Sequence, residues 1–200
     1  MTWSDPERVA EYLSREIPHR ELAESMLLAA LPARIDRVLD LGTGDGRLIA
    51  LVRSAHPDAE AVGLDSSQAM LDRAGERFAA GPTTELRFHD LRESLPHGET
   101  FDAIVSGLAI HHLGNARKRE LFHEIRSRLS RGGVFANLDL VSAATPALHE
   151  RFRREIGRPE DDPADRLADL ADQLDWLRSA GFTAVDCHFK WLQLTLVVAS

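Results

Sequence analysis

Asp40, Gly42, Gly44, Asp45 and Gly46 lie in one short run, Asp40-Leu41-Gly42-Thr43-Gly44-Asp45-Gly46, and Asp65 and Asp90 follow downstream. Glycines in such a run let the chain turn tightly and let backbone N–H groups approach a ligand with no Cβ in the way. The spacing is G-x-G-x-G, not the G-x-G-x-x-G of a dinucleotide fingerprint. A pyrophosphate is held by a helix N-terminus, and an acid within the loop repels it. Asp40 before the glycines and Asp45 among them suit a ligand that carries positive charge and an amino group. Asp65, about 20 residues beyond the loop, is where an acid accepts hydrogen bonds from both ribose hydroxyls. Asp90, with the Leu91 backbone beside it, can accept from an adenine amino group. Any single acid of this kind could merely cap a helix. At the ends of successive strands, together with a glycine loop, they mark a ligand crevice.

The elements that must position these residues read as alternating strands and helices. Residues 5–31 are helical, capped by Asp5-Pro6 and interrupted at Pro18. Residues 37–41 form a short buried strand, 42–46 a turn and 47–56 a helix. A second strand at 60–64 leads to a helix at 66–80, capped by Ser66 or Ser67, and a third strand covers 86–89. Strand 101–106, helix 117–129, a turn at Gly132-Gly133 and strand 134–140 continue the pattern. Residues 142–181 read as polar and helical without a strand, with Asp161-Asp162-Pro163-Ala164-Asp165 as a loop and helix start. Two final strands, 182–188 and 191–199, join through a turn near Lys190. The prediction is an α/β fold built of βαβ units on a mainly parallel sheet.

The bulk properties narrow the function. The chain of 200 residues suits a single domain over 1–200, with a formal charge of -8 that disfavours tracking a nucleic-acid strand. Arg151, Arg153, Arg154 and Arg158 read as a solvated helix face balanced by neighbouring glutamates. Cys187 is the single cysteine, so an intramolecular disulfide and a Cys-rich metal site are ruled out. On a strand it faces away from Asp186 and His188, which reads as a core thiol, and no metal is expected anywhere. With no leader or membrane-length apolar run, the expectation is a cytoplasmic protein with no membrane partner.

The chain resembles a class I S-adenosylmethionine-dependent methyltransferase. Residues 40–46 match that family's acid-x-Gly-x-Gly-x-Gly motif. Gly63-Leu64-Asp65-Ser66-Ser67 with Met70-Leu71 resembles its ribose motif, Phe88-His89-Asp90-Leu91 its adenine motif, and 101–106 and 129–135 its fourth strand and the turn into the fifth. The resemblance implies a Rossmann-like three-layer sandwich with a seven-stranded sheet ordered 3-2-1-4-5-7-6, the seventh strand antiparallel and helices on both faces. It implies S-adenosylmethionine as cofactor and S-adenosylhomocysteine as product. The site residues it implies are Tyr12, Asp40, Gly42, Thr43, Gly44, Asp45, Gly46, Asp65, Ser66, Met70, Asp90, Leu91, Ser106 and His111.

The acceptor is expected to be a small molecule, and a homodimer is compatible with the sequence. Ser106 to Leu113 should line the crevice beside the methionine tail. The Asn/Asp-Pro-Pro-aromatic motif of amino-methylating enzymes has no counterpart there. In a helical turn His111 and His112 point about 100° apart, so at most one should face the pocket. His111 is the candidate general base, active only where the acceptor must lose a proton. The segments 1–31 and 142–180, with Trp3, His149, Arg153 and Trp176, are expected to roof the acceptor. Competing readings are an enzyme that modifies the bound sulfonium, as in carboxylated-cofactor synthesis, a non-catalytic cofactor-binding module, and an NAD dehydrogenase disfavoured by Asp45.

Overall fold

The computed structural model describes residues 16–81, 83–158 and 160–200. Seven strands form one sheet: β1 (Arg37–Leu41), β2 (Glu60–Asp65), β3 (Thr84–Phe88), β4 (Phe101–Gly107), β5 (Leu129–Leu140), β6 (Val185–Trp191) and β7 (Leu194–Ala199). Their order is β3-β2-β1-β4-β5-β7-β6, as expected. The first five pair in parallel, and β7 is antiparallel to both β5 and β6.

Two cores explain why the parallel strands are apolar on both faces. Leu39, Leu41, Val62, Leu64 and Ile104 pack on one side against α4 (Asn115–Arg128) and α6 (Leu170–Ser179). Val38, Ala61, Ala103 and Val105 pack on the other against α1 (Arg20–Ala30), α2 (Arg47–Ala55) and Phe152 of α5 (Pro146–Glu155). The remaining helix, α3 (Gln68–Arg77), is capped by the Ser67 hydroxyl, which accepts from Met70 N–H.

Several boundaries differ from the sequence reading. Strand β5 runs through Gly132-Gly133 from Leu129, because the pairing with β4 absorbs the glycines as a register shift. The last hairpin turns at Leu192-Gln193, not near Lys190. Leu192 takes the left-handed conformation there (φ 50°), which neither residue type advertises. Residues 160–169 are non-helical, so the loop expected at 161–165 is present but the helix after it starts only at Leu170.

Helix α1 is tied to the start of α2 by a buried charge. Glu24 accepts from Arg47 Nε and Nη2, both at 2.7 Å, and from Arg20 Nε at 2.8 Å. Burial opposes the charge on Glu24, but these hydrogen bonds outweigh it and hold the carboxyl below its ordinary 4.5. Replacing Glu24 with Gln is expected to cost about 1.5–3 kcal/mol in urea denaturation at pH 7. A lowered acid stabilises the fold above its unfolded value. The gap between wild type and Glu24→Gln should therefore close as pH falls below about 4.5.

Candidate functional site

The loop after β1 is built by main-chain bonds to β2. Gly42 and Thr43 N–H both donate to the Leu64 carbonyl, at 2.8 and 2.9 Å. Gly42 has φ +72°, and a Cβ there would lie 2.3 Å from the Ala109 Cβ, so the position accepts only glycine. Gly44 also has φ +55°, but a Cβ there would meet nothing within 4 Å. The chain turns at Gly42 because of its own packing, whereas at Gly44 it leaves space.

That space belongs to a cavity of about 770 Å³, lined by Asp40, Gly42, Thr43, Gly44, Asp45 and Gly107 on the sheet side. Glu16 to Leu22 and Arg47 close the other side. Its size fits a small-molecule or cofactor site. Asp40 is fully buried at the end of β1, and its Oδ2 accepts from the Thr43 hydroxyl at 2.8 Å. Its Oδ1 has no hydrogen-bond partner. Burial, with the charges of Asp65 and Asp45 nearby, pushes the Asp40 carboxyl up to about 7. An orphaned buried carboxylate oxygen is costly. A cationic ligand group would satisfy it.

Asp65 closes β2 and grips the loop, its Oδ2 accepting Gly44 N–H and its Oδ1 accepting Ser67 N–H, both at 2.8 Å. Burial raises its carboxyl, and the bonds from Gly44, Ser67 and Ser66 pull it back without cancelling that rise. Each oxygen keeps lone-pair capacity for a ligand hydroxyl.

The other expected site residues separate into groups. Asp45 lines the cavity, but its carboxylate is ion-paired with Arg77. Gly46 is the left-handed N-cap of α2. Ser66 follows Asp65, and Met70 is buried in the first turn of α3. Asp90 lies at the end of β3 with both oxygens engaged by Arg92, while Leu91 is buried beside it. Ser106 is fully buried and donates to the Leu41 carbonyl at 2.8 Å, which ties β4 to β1. Tyr12 and Trp3 lie outside the described residues. Trp176 packs against Arg119 on α4, 4.6 Å from ring centre to guanidinium. Cys187 is half-buried, its thiol donating to the Phe189 carbonyl, while Asp186 and His188 face out. The edge strand alternates as expected, yet the thiol is less deeply placed than a core residue.

The histidines depart most from expectation. Ile110–His112 form a single 3₁₀ turn, and both imidazoles line a second cavity of about 60 Å³, their ring centres 4.0 Å apart. Glu16 and Ile17 line both cavities, so the two adjoin. Asp139 on β5, a residue the sequence reading passed over, accepts His111 N–H at 2.8 Å and faces its Nδ1 at 2.5 Å. Its place 28 residues downstream on another strand gave no local signal. Burial works against protonating His111, but the Asp139 charge outweighs it and raises its pKa. Burial and His111 together drive His112 down to about 4. His111 is absent from the larger cavity. Arg153 is buried rather than part of a solvated face, and it lines the smaller cavity.

Comparison with known proteins fits this geometry. Residues 38–133 match the family described as a methyltransferase domain. An uncharacterized methyltransferase of Synechocystis is 33% identical over 155 residues, covering 76% of this chain and 69% of that protein. The chain belongs to the class I S-adenosylmethionine-dependent methyltransferases. An uncharacterized methyltransferase of Mycobacterium tuberculosis is 34% identical over 125 residues, and the match spans 62% of this chain but only 59% of that protein. A carboxy-S-adenosyl-L-methionine synthase of Helicobacter hepaticus is 22% identical over 94% of this chain and 89% of its own. Among solved structures, the DhpI complex with S-adenosylhomocysteine has a TM-score of 0.70 at 19% identity, covering 97% of this chain and 91% of that one. That likeness shows the methyltransferase fold.

The two glycines should separate cleanly on substitution. Gly42→Ala is expected to lose about 2–5 kcal/mol through clash and strain. Gly44→Ala should lose only about 1–2 kcal/mol, yet abolish any ligand-induced rise in melting temperature. Equal destabilisation by the two, measured by thermal melting, would contradict the packing argument.

Proposed function

We propose that this methyltransferase binds S-adenosylmethionine in the larger cavity and methylates a small-molecule acceptor that enters the smaller one. The observation that carries the reading is Asp40 Oδ1, a buried acceptor without a donor on the wall of a cavity large enough for the cofactor. The ammonium of a methionine tail supplies that donor. Gly44, where no side chain intrudes, lets the ligand approach the backbone, and Asp65 offers its remaining lone pairs to the ribose hydroxyls. On this reading Asp90 and Leu91 would take the adenine and Ser66 and Met70 the nucleoside, with Thr43, Asp45 and Gly46 completing the loop.

When bound, the cofactor supplies an electrophilic methyl group on a sulfonium, a good leaving group. The protein's task is then mainly to align the acceptor and exclude water. Glu16 and Ile17, shared by both cavities, stand at the junction across which the methyl would pass. The smaller cavity is enclosed by Leu108, Leu140, Phe152 and Ile156. Such an enclosure favours a small acceptor over a polymer. No described helix is long and apolar enough to cross a membrane.

A second reading has one observation in its favour. Modifying the sulfonium with a carboxylated group needs an extra arginine on the cofactor side, and Arg20 and Arg47 both line the larger cavity. Both already donate to Glu24, which leaves less charge for a second carboxylate. Mass spectrometry of the ligand that copurifies with the protein distinguishes the two.

S-adenosylmethionine or S-adenosylhomocysteine should raise the melting temperature, and Asp65→Ala should remove the rise. The absence of any rise with wild type refutes the reading. Only ionised Asp40 welcomes an ammonium, so affinity should fall about tenfold per pH unit below pH 7 and level off above it. Titration calorimetry across pH 5–8 should show that slope in wild type and a flatter profile in Asp40→Asn.

A further inference from the structure

The smaller cavity holds an arrangement that a simple apolar acceptor pocket does not need. His111 Nε2 and His112 Nδ1 each lie 3.6 Å from the same oxygen, Asp165 Oδ1. One donor atom from each of the three residues falls within 4.8 Å of the others. An ion with ligands at about 2.0–2.2 Å in tetrahedral geometry spaces them about 3.4 Å apart. Closing from the observed spacing takes small side-chain movements.

Each donor is held by a neighbour. Asp139 grips the backbone N–H of His111 through one oxygen and its Nδ1 through the other, which turns Nε2 toward Asp165. A carboxylate behind an imidazole fixes the tautomer and strengthens the ring as a metal ligand. His112 hydrogen-bonds the backbone at Ala164, with its Nδ1 turned to Asp165. The stretch carrying Asp165 is fastened over the histidine turn, because Arg166 N–H donates to the His111 carbonyl at 2.9 Å and the Lys118 ammonium to the Arg166 carbonyl. Three segments distant in sequence are thus locked around one point.

We propose that His111, His112 and Asp165 bind a divalent transition-metal ion of the zinc or iron(II) type at the wall of the acceptor cavity. Two imidazoles and one carboxylate suit such ions rather than magnesium or calcium. Three protein ligands leave a coordination position free, as in catalytic rather than structural sites. The charge balance allows a cation. Glu16, Asp162 and Asp165 line the cavity and Asp139 backs His111 from the Nδ1 side, against Arg158 on the same wall, while Lys118 is committed to the Arg166 carbonyl and Arg153 lies 3.6 Å from Asp161. Arg153 Nε and Nη2 are buried without a hydrogen-bond partner on the same cavity. An acceptor oxygen or carboxylate that reaches both the ion and this guanidinium completes both. This inference rests on reading the smaller cavity as the acceptor site. It also departs from the metal-free site that the sequence suggests.

The test uses the full chain without a histidine tag, stripped with a chelator and titrated with Co²⁺ and, separately, Zn²⁺. The expected result is one ion per chain by calorimetry, with visible Co²⁺ d–d bands that Zn²⁺ quenches. His112→Ala and Asp165→Asn should each abolish the bands, and Asp139→Asn should weaken binding by about 10–100-fold. His97→Gln, away from the cluster, should change nothing. The melting shift with S-adenosylhomocysteine is recorded on every sample. A shift retained by Asp165→Asn shows that the variant is folded. No Co²⁺ binding by wild type, or binding that survives both His112→Ala and Asp165→Asn, overturns the metal site. A normal cofactor shift alongside that result leaves the methyltransferase reading standing, whereas metal binding without any cofactor shift defeats the latter alone.

Discussion

The carbonyl of Leu64, taking hydrogen bonds from both Gly42 and Thr43, sets the geometry of the whole carboxyl edge of the sheet. Through it the chain leaving β1 bends toward β2 rather than over β4. The bend brings Gly44 N–H within reach of Asp65, so the loop is sewn to β2 at two successive residues. The left-handed conformation at Gly42 is what the double bond costs, and the nearby Ala109 Cβ removes any alternative residue. Helix α2 then starts at a fixed place, Arg47 meets Glu24, and α1 settles over the opening. One carbonyl therefore determines where the cavity lies and what closes it.

The acids at this edge differ in whether their charge is already satisfied. Asp45 is paired with Arg77, Asp90 with Arg92, and Glu24 with two arginines. Each of these charges already has a partner within the protein. Asp40 has one empty oxygen deep in the protein, and Asp65 is bonded only by backbone donors. In sequence all of these carboxylates look alike. Burial and partner separate them: Asp40 keeps one oxygen without a donor, while Asp65 has only spare lone pairs beyond its backbone donors.

That difference also explains what was legible. The strands themselves, the glycine turn and the acids at strand ends follow from periodicity and local motif, which act over a few residues, whereas the strand order was what the family resemblance implied. The turn at Leu192-Gln193 was not legible, because nothing in either side chain favours a left-handed residue. Likewise, β5 reading through Gly132-Gly133 depends on β4 pairing across it, a non-local fact. The role of Asp139 was hidden for the same reason. Its partner His111 is 28 residues away, and neither residue carries a local sign of the other. Arg153 looked like a member of a charged helix face until packing against the second cavity buried it.

The expectation that adjacent histidines diverge holds for an extended α-helix, where each residue turns by about 100°. Here the turn is a single 3₁₀ unit that ends at Leu113, and the ring directions are set by what lies around it. Asp139 draws His111 down onto β5, while the Ala164 backbone takes His112 from above. Two opposed hydrogen bonds rotate the rings until they lie 4.0 Å apart and face one carboxylate. Local helical geometry is worth a fraction of a kcal/mol per residue, whereas a buried hydrogen bond to a charged group is worth about 1.5–3. The tertiary bonds win. The same comparison explains why the chemistry of the second cavity could not be read from the dipeptide alone. It is made by β5 below, by the 160–169 stretch above, and by the turn between them.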